Sequence, residues 1–485
     1  MSEAQTINLY NFEIKGIAYD SRKIKKGDVF VAIPGLKFDG ASFIPQAIEN
    51  GASVIICETE TAVPDNVKLI KVANARQALA ELSAKYYGYP ASKLKIIGIT
   101  GTNGKTTIAY FIESILKEAG YKVGLISTVE TKINNKSMPS SFTTPESLEL
   151  QEILSQMVKE GITHVVMEVS SHALAQDRVY GLQFDEVIFT NLTHEHLDFH
   201  KTMDEYLSAK LKIFKMLKHN GTAVINVDDP SSKKIIESID GEVVFYGMKD
   251  IKHELRSTKT SNFDVRLKEY DIKFELMRVR IDTTEIRTAY IGIYNIYNLL
   301  AAFQCGLVLN IEKKKIKAGI EKAVIPGRFE RIDVGQDLFV IIDFAHTPDG
   351  LQKLLGTIKP LIKGKIILVF GCPGDRDKEK RPIMGKIAAD LADQMIVTTD
   401  DPHSENPQQI IDEILTGIDP RYALRVSNYV DRKEAIKRAI SIAQKGDVVV
   451  LAGRGHEKRQ DFNGKKVEFD DVKIAKEAIK LNGKS

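Results

Sequence analysis

Ten residues of this 485-residue chain, Gly98-Ile-Thr-Gly-Thr-Asn-Gly-Lys-Thr-Thr107, have the types and order that a nucleotide phosphate site needs. Glycines let backbone N–H groups close around phosphate oxygens, and a helix N-terminus behind them adds partial positive charge. Lys105 would reach the β- and γ-phosphates, and the Thr106 hydroxyl would ligate Mg²⁺. The strict pattern G-x-x-x-x-G-K-[ST] wants glycine at position 99, where Ile99 stands. The match is therefore to a variant loop built on Gly101, Thr102, Asn103, Gly104, Lys105, Thr106 and Thr107, and its chemistry is that of ATP.

Other residues with chemical potential follow. Glu168 ends an apolar run before Ser170-Ser-His172; there an acid is placed to hold Mg²⁺ or its water, the plain alternative being a polar strand terminus. Thr190-Asn-Leu-Thr-His-Glu-His-Leu-Asp-Phe-His200 packs His194, Glu195, His196, Asp198 and His200 together, a density that suggests a metal or phosphate site. No cysteine is near and the spacing fits no standard structural zinc pattern. Magnesium prefers oxygen ligands, so at most one of these histidines is expected on it.

Lys210 stands within a segment, Asp204 to Leu217, read as a helix whose apolar face is Tyr206, Ile213, Phe214 and Leu217. It lies four residues from both Tyr206 and Phe214, while Lys212 and Lys215 point away. A lysine on such a stripe tends to lose its proton, and a neutral amine can add CO₂ to give an anionic carbamate that ligates Mg²⁺. The pattern alone favours the blander reading, an apolar stem with its head in water. Asn295 and Asn298 fall near the start of an apolar helix, where capping competes with ligand binding. Arg328 and Asp343-Phe-Ala-His346 flank a domain boundary, where an arginine and a carboxylate could meet a nucleotide.

The elements that would position these residues form three blocks: 1–90, 91–329 and 330–485. The first mixes short strands (Asp28 to Ile33, Ser53 to Cys57) with helical stretches such as Arg76 to Tyr87, and has no phosphate loop. The second runs from the strand Leu94 to Ile97 through a helix Ile108 to Ala119, then Val123 to Ile126, a helix near 146–160, His164 to Val169 and Glu186 to Thr190. Ile325 to Glu330 reads as its closing turn. The third repeats the scheme with strands at Phe339 to Asp343, Lys365 to Phe370, Gln394 to Thr398 and Asp447 to Leu451. Apolar runs separated by helices predict an α/β fold with a mostly parallel sheet, whose ligands sit beyond the carboxyl ends of the strands. Lys plus Arg total 68 against 65 Asp plus Glu, a formal charge of +3, so overall charge gives no argument for nucleic-acid binding. Cys57, Cys305 and Cys372 are scattered, without metal spacing, and read as free thiols in a reducing compartment. With no basic-then-apolar leader and no long apolar run, the expectation is a soluble cytoplasmic protein without a membrane span.

Taken in order, Asp20-Ser-Arg22, Thr100 to Thr107, Thr143-Thr-Pro145, Glu168 to His172, Asn191 to Asp198, Lys210, Asn295/Asn298, Pro326-Gly-Arg328, Asp343 to Pro348, Gly374-Asp-Arg-Asp-Lys378 and Gly453-Arg-Gly-His-Glu457 resemble the Mur ligases, ATP-dependent amide-forming enzymes of peptidoglycan synthesis. The resemblance covers nearly the whole chain and is strongest to the branch that adds a diamino acid to UDP-N-acetylmuramoyl-L-alanyl-D-glutamate (UDP-MurNAc-L-Ala-D-Glu). It implies a UDP-precursor-binding N-terminal domain, a central P-loop ATPase-like domain and a Rossmann-like C-terminal domain that takes the amino acid. It also implies a monomer serving cell-wall biogenesis, and so cell shape and division. Ser21, with Leu36-Lys-Phe38, would hold the UDP end; Thr143, Thr144, Ser170, Gln176 and Arg178 would line the muramoyl dipeptide. The ATP site would include Lys105, Asn298, Arg328 and Asp343. Thr106 and Glu168 would hold one Mg²⁺, and His196 with carbamylated Lys210 a second. Arg376, Asp400, Asp401, Pro402, His403, Gly453 and Glu457 would receive the amino acid.

The loop Thr399 to Pro407 departs from the family pattern. Diaminopimelate-adding members resemble Asp-Asn-Pro-Arg there and lysine-adding members end in Asn or Ala, whereas this chain has Asp400-Asp-Pro-His403. An arginine fork suits a carboxylate; histidine offers fewer donors and a charge that varies near neutral pH. The expected substrate is meso-diaminopimelate, then a sulfur-bridged analogue such as lanthionine, then lysine or ornithine. His403 as a solvent-facing loop residue is the plain alternative. A folylpolyglutamate- or cyanophycin-type ligase is disfavoured by Asp20-Ser-Arg22 and Gly374 to Lys378. An amidotransferase-partnered Mur-like subunit would want a four-cysteine zinc ribbon that three scattered cysteines do not supply. Retention of Lys105, Glu168, His196 and Lys210 counts against a non-catalytic nucleotide-binding module.

Overall fold

The computed structural model describes residues 14–35, 39–134, 136–140, 142–193, 195–249, 265–335 and 337–483. By its own contacts the chain divides into two compact units, residues 1–265 with 301–319, and residues 266–300 with 320–485.

The first unit opens with four short parallel strands in sequential order: β1 (Ile17–Ala18), β2 (Val29–Val31), β3 (Val54–Cys57) and β4 (Lys68–Lys71). The helix Ala75–Tyr86 packs its Ala75, Ala78, Leu79 and Leu82 on this sheet, and Asn74 caps it by accepting from the N–H groups of Arg76 and Gln77.

The larger sheet of this unit is built from β5 (Lys95–Thr100), β6 (Val123–Ile126), β7 (Glu130–Ile133), β8 (Lys136–Pro139), β9 (His164–Glu168), β10 (Phe184–Phe189), β11 (Leu217–Asn226) and β12 (Glu242–Gly247). Their order is β12-β11-β10-β5-β9-β6-β7-β8. The first six pair in parallel, and β7 and β8 add an antiparallel edge. Parallel strands covered on both faces read as unbroken apolar runs, which is why Ile96, Ile97, Val165, Val166, Val187 and Ile188 are all buried. Strand β5 lies between β9 and β10, the point where the winding changes direction and a crevice opens beyond the strand ends. Registers Ile99↔Glu168 and Thr100↔Phe189 bring the three carboxyl ends level. Gly98 is required here because a Cβ would press into the Phe184 ring and Ile213.

In the second unit an antiparallel meander, β13 (Val265–Ile272), β14 (Met277–Ile281) and β15 (Thr284–Thr288), precedes the helix Ile293–Val308. A six-stranded sheet follows, from β16 (Glu330–Ile332), β17 (Phe339–Asp343), β18 (Ile366–Phe370), β19 (Gln394–Thr398), β20 (Val426–Tyr429) and β21 (Val448–Ala452). Its order is β16-β17-β21-β18-β19-β20, parallel except for the β16 edge. A last hairpin pairs β22 (Arg459–Phe462) with β23 (Lys465–Glu468). No helix among the described residues is long and apolar enough to cross a membrane.

The expected elements are present with shifted ends. β5 runs three residues beyond Ile97 to Thr100, and the helix behind the loop begins at Lys105 rather than Ile108. The segment 204–217 needs correction. Its helix is Met203–Leu211, followed by a 3₁₀ turn over Lys212–Met216, and Leu217 opens β11. Tyr206, Ile213 and Phe214 are buried as the stripe required, but Leu217 belongs to the sheet.

Candidate active site

Strand β5 delivers the chain to a loop whose Gly101 (φ 137°) and Gly104 (φ 92°) adopt conformations other residues resist. A Cβ on Gly101 would also strike the Thr190 hydroxyl. Gly104 is the N-cap of the helix Lys105–Glu118, which sets the positive end of the helix dipole at the loop. The segment after β10 grips this loop from its other side. Thr102 N donates to Asn191 O at 2.8 Å and Asn103 N to Asn191 Oδ1 at 3.0 Å, while Asn191 Nδ2 returns a bond to Asn103 O at 3.1 Å. Thr193 N donates to Thr102 Oγ1 at 3.0 Å.

Two lysines converge on one oxygen. Lys105 Nζ donates to Gly101 O at 3.1 Å and Thr102 O at 2.7 Å, and Lys210 Nζ donates to the same Gly101 O at 2.7 Å. Lys210 is 1% exposed, with its Nζ 4.4 Å from the Tyr206 ring centre, and the Tyr206 hydroxyl lies 3.1 Å from Thr102 Oγ1. Burial, reinforced by the neighbouring Lys105 charge and opposed by Glu195, holds Lys210 well below the usual lysine range. The snorkelling reading is therefore wrong: the stem's head does not reach water. Its carbonyl partner is 109 positions away in sequence.

Glu168, 1% exposed, receives Thr128 N on Oε1 at 2.9 Å and Thr128 Oγ1 on Oε2 at 3.1 Å. The same threonine hydroxyl lies 3.1 Å from Thr143 Oγ1. Thr144 Oγ1 donates to Glu168 O at 2.9 Å and accepts from Ser170 N at 3.0 Å. Arg178 reaches Thr144 O at 3.1 Å and Gln176 Oε1 at 2.6 Å, sets its Nε 2.9 Å from Glu146 Oε1, and stacks on Phe142. Thr143, Thr144, Ser170, Gln176 and Arg178 are thus one connected patch beside Glu168. Glu146 continues it into the N-terminal sheet region, with Oε2 3.2 Å from Arg76 Nη1. Ser21 is bonded to Gln46 at 2.7 Å. His196 adopts a left-handed backbone (φ 58°), its ring edge-on to His172 at 4.7 Å and 6.1 Å from Tyr206. His194, Leu36 to Phe38 and the Asp198 side chain lie outside the described residues.

In the second unit, Asn295 Nδ2 donates to Ile291 O and Asn298 Nδ2 to Asn295 Oδ1, each at 3.0 Å, so both amides stack along the first turns of their helix. Arg328 lies over the Phe344 ring at 4.3 Å. Asp343 accepts from Phe329 N at 2.7 Å and Ala345 N at 2.9 Å; desolvation pushes its carboxyl up while Arg328 pulls it down.

Three of the expected amino-acid residues, Asp400, Asp401 and Glu457, gather around a fully buried arginine. Arg454 Nη1 donates to Asp401 Oδ1 at 2.8 Å and Asp400 Oδ1 at 3.3 Å, and its Nη2 is 3.5 Å from Glu457. Burial and the Asp400 charge push the Glu457 carboxyl up to about 8. A Cβ on Gly453 would press on Asp400 Oδ2. His403, left-handed at φ 48°, follows Pro402; its N donates to Asp461 O at 3.0 Å, and its Nδ1 stands 3.8 Å from Asp461 Oδ2. Its backbone is thus tied to β22, while its side chain stays 28% exposed. Arg376 sits on an exposed turn tied in by Gly374 N donating to Asp401 O at 2.8 Å.

Four residues with structural claims on the site were not singled out from sequence: Thr128, Glu146, Arg454 and Asp461. Arg454 had a signal, its place inside Gly453-Arg-Gly-His-Glu457. A lone threonine after a strand has none.

Three family models match the chain in succession: Mur ligase family, catalytic domain over residues 13–87, Mur ligase middle domain over 99–306, and Mur ligase, glutamate ligase domain over 327–455. A relative from Clostridium perfringens named UDP-N-acetylmuramoyl-L-alanyl-D-glutamate--2,6-diaminopimelate ligase is 45% identical over 95% of this chain and 94% of its own length. One of the same name from Caldanaerobacter subterraneus is 43% identical over 97% and 95%. A solved structure of a protein with that name has 30% identity and a TM-score of 0.66 over 98% of this chain and 99% of the other.

Proposed function

Because this chain belongs to the Mur ligase family, we propose that it is the ATP-dependent ligase that joins 2,6-diaminopimelate, or a close diamino diacid such as lanthionine, to the D-Glu of UDP-MurNAc-L-Ala-D-Glu in peptidoglycan synthesis. The D-Glu carboxylate attacks the γ-phosphorus of ATP, the bond to the β-phosphate oxygen breaks, and ADP leaves an acyl phosphate. The amine of the diamino acid then attacks the acyl carbon; phosphate departs and the nitrogen loses a proton as the amide forms.

The observation that carries this reading is the pair of lysines on Gly101 O. Lys105 brings positive charge to the phosphate loop. Lys210, buried beside it, is driven toward a neutral amine, the form that adds CO₂ and, on losing a proton, becomes an N6-carboxylysine. Such a group is an oxygen donor, as is Glu168, and oxygen donors suit magnesium. Thr106 and Glu168 would hold one Mg²⁺, and His196 with carboxylated Lys210 a second. Bound there, the two ions would offset the repulsion between substrate carboxylate and triphosphate and stabilise the transferring phosphoryl group. That repulsion is about 4 kcal/mol per unit-charge pair at 4 Å and ε near 20.

The remaining roles are those the family resemblance implies. The Thr143, Thr144, Ser170, Gln176 and Arg178 patch takes the muramoyl dipeptide beside Glu168, and Ser21 takes the UDP end. Asn298, Arg328 and Asp343 contribute to the nucleotide site. Asp400, Asp401, Gly453 and Glu457 supply carboxylate and backbone oxygens for an ammonium, and Arg376 and His403 meet the distal acid. The enzyme works in the cytoplasm as a monomer.

The deciding experiment incubates the protein with ATP, Mg²⁺ and UDP-MurNAc-L-Ala-D-Glu, adding meso-diaminopimelate, lanthionine, lysine or ornithine singly, and weighs the product. A precursor heavier by one diamino diacid residue is expected. No heavier product with any of the four overturns the proposal.

A further inference from the structure

The turns Gly374–Lys378 and Asp400–Glu405 leave different strands, β18 and β19, yet are bonded into one body. Gly374 N donates to Asp401 O at 2.8 Å, Asp375 N to Glu405 Oε1 at 2.7 Å, and Ser404 Oγ to Asp375 Oδ1 at 2.6 Å. The approach is close enough that a Cβ at Gly374 would run into the Pro402 carbonyl. Beneath them lies Arg381, 0% exposed at the start of the helix Lys380–Leu391. Its two terminal nitrogens meet the two Glu405 oxygens, each at 3.0 Å, and Nη1 also donates to Glu413 at 2.6 Å. Lys378 Nζ stands 3.0 Å from Glu405 Oε2. The paired fork is the strongest geometry a carboxylate can accept. It holds the Glu405 carboxyl down at about 2, so the pair stays charged across the working pH range.

Each turn contains a non-glycine residue in the left-handed region, Asp375 at φ 53° and His403 at φ 48°. L residues resist that conformation, and it persists where surrounding bonds over-determine it. For Asp375 the over-determining bonds come from the opposite turn and from Glu405. His403 is held instead by the last hairpin, its N donating to Asp461 O at 3.0 Å and its O accepting from Asn463 N at 2.6 Å, while Ser404 beside it ties its turn to Asp375.

We propose that the Arg381–Glu405 pair is a positioning element for amino-acid selection, locking two strained turns together so that Arg376 and His403 act on one substrate end. The inference rests on the proposed function for what the turns bind. Neither Arg381 nor Glu405 touches substrate; both act through the turns they fix.

Glu405→Gln keeps the shape and removes the charge; Arg381→Lys keeps the charge and removes the fork. In each, KM for the diamino acid should rise at least tenfold, with kcat at saturating diamino acid and KM for ATP and for the UDP-precursor within twofold. Amide hydrogen exchange in Gly374–Lys378 and Asp400–Glu405 should accelerate at least tenfold, and in both turns together. A purely structural pair would lower the melting temperature without a selective KM change. A folded variant whose diamino-acid KM stays within twofold of wild type, or exchange that accelerates in one turn only, overturns the proposal. Should Glu405→Gln fail to fold, Arg381→Lys carries both readouts. A wild-type enzyme that makes no tripeptide would refute the proposed function instead, and the exchange measurement would still judge the clasp.

Discussion

The phosphate loop and the cluster around Arg454 handle charge in opposite ways. At the loop, two lysines crowd one carbonyl oxygen and one of them is buried, so like charge is pressed against like. Around Arg454, three carboxylates crowd one guanidinium, so the excess is negative. The first arrangement drives an amine toward its neutral form; the second pushes an acid, Glu457, up toward its protonated form. Both regions thus gather charge of one sign about a single polar group, with the sign reversed.

Breaking the first side should have the largest effect. Lys210→Ala is expected to lower kcat at least a thousandfold, about 4 kcal/mol in the barrier, with an unaltered fold. Lys210→Arg, which cannot shed its proton, should be as inactive. Near-normal turnover by the arginine variant would remove the carbamate from the mechanism. Next comes Arg454→Met, which strands Asp400, Asp401 and Glu457 together. Removing one partner of a buried ion pair costs about 3–5 kcal/mol, so the melting temperature should fall sharply. The diamino-acid KM should rise while the ATP KM holds.

Glu146→Gln tests whether the dipeptide patch depends on its link to Arg76. A five- to twentyfold rise in KM for the UDP-precursor alone is expected from steady-state kinetics, and an equal rise for ATP would refute the link. Gly98→Ala inserts a methyl against Phe184 and Ile213, and overpacking of this kind costs about 1–3 kcal/mol; denaturant unfolding reads it directly. The last test is a pH slope. Glu457 has a folded pKa of about 8, above the ordinary carboxyl value, so between pH 5 and 8 the folded state holds more protons than the unfolded one. Stability from this group is therefore full below pH 4.5 and fades as pH rises toward 8. Glu457→Gln should flatten that part of the melting-temperature profile relative to wild type.

How far sequence could lead differs between the two regions for the same physical reason. The phosphate loop is contiguous, its glycines and lysine fixed by local geometry, so ten adjacent residues announce it. The alternating apolar runs likewise announce parallel strands, since those strands are buried on both faces. Lys210 was recognisable as a lysine on an apolar stripe, but periodicity alone favoured a solvated head. The contact that decides otherwise reaches back to Gly101, and no local pattern encodes it. The same periodicity carried the helix six residues too far, because Ile213 and Phe214 remain buried through a 3₁₀ turn. His403 shows the limit most clearly. Its type was legible as a departure, but its partner Asp461 comes from a hairpin 58 residues later, through backbone pairing that side-chain identity does not advertise.

The reciprocal amide bonds between Asn103 and Asn191 have a kinetic consequence. Because the Asn191 side-chain amide fastens both the N–H and the carbonyl of Asn103, the cradle is cast during folding and an arriving nucleotide need not mould it. Encounter should therefore be limited by diffusion and charge steering, with salt altering the association rate far more than temperature-dependent loop ordering would. Cutting that tether at Asn191 would convert a rigid dock into one that must be shaped anew at every visit.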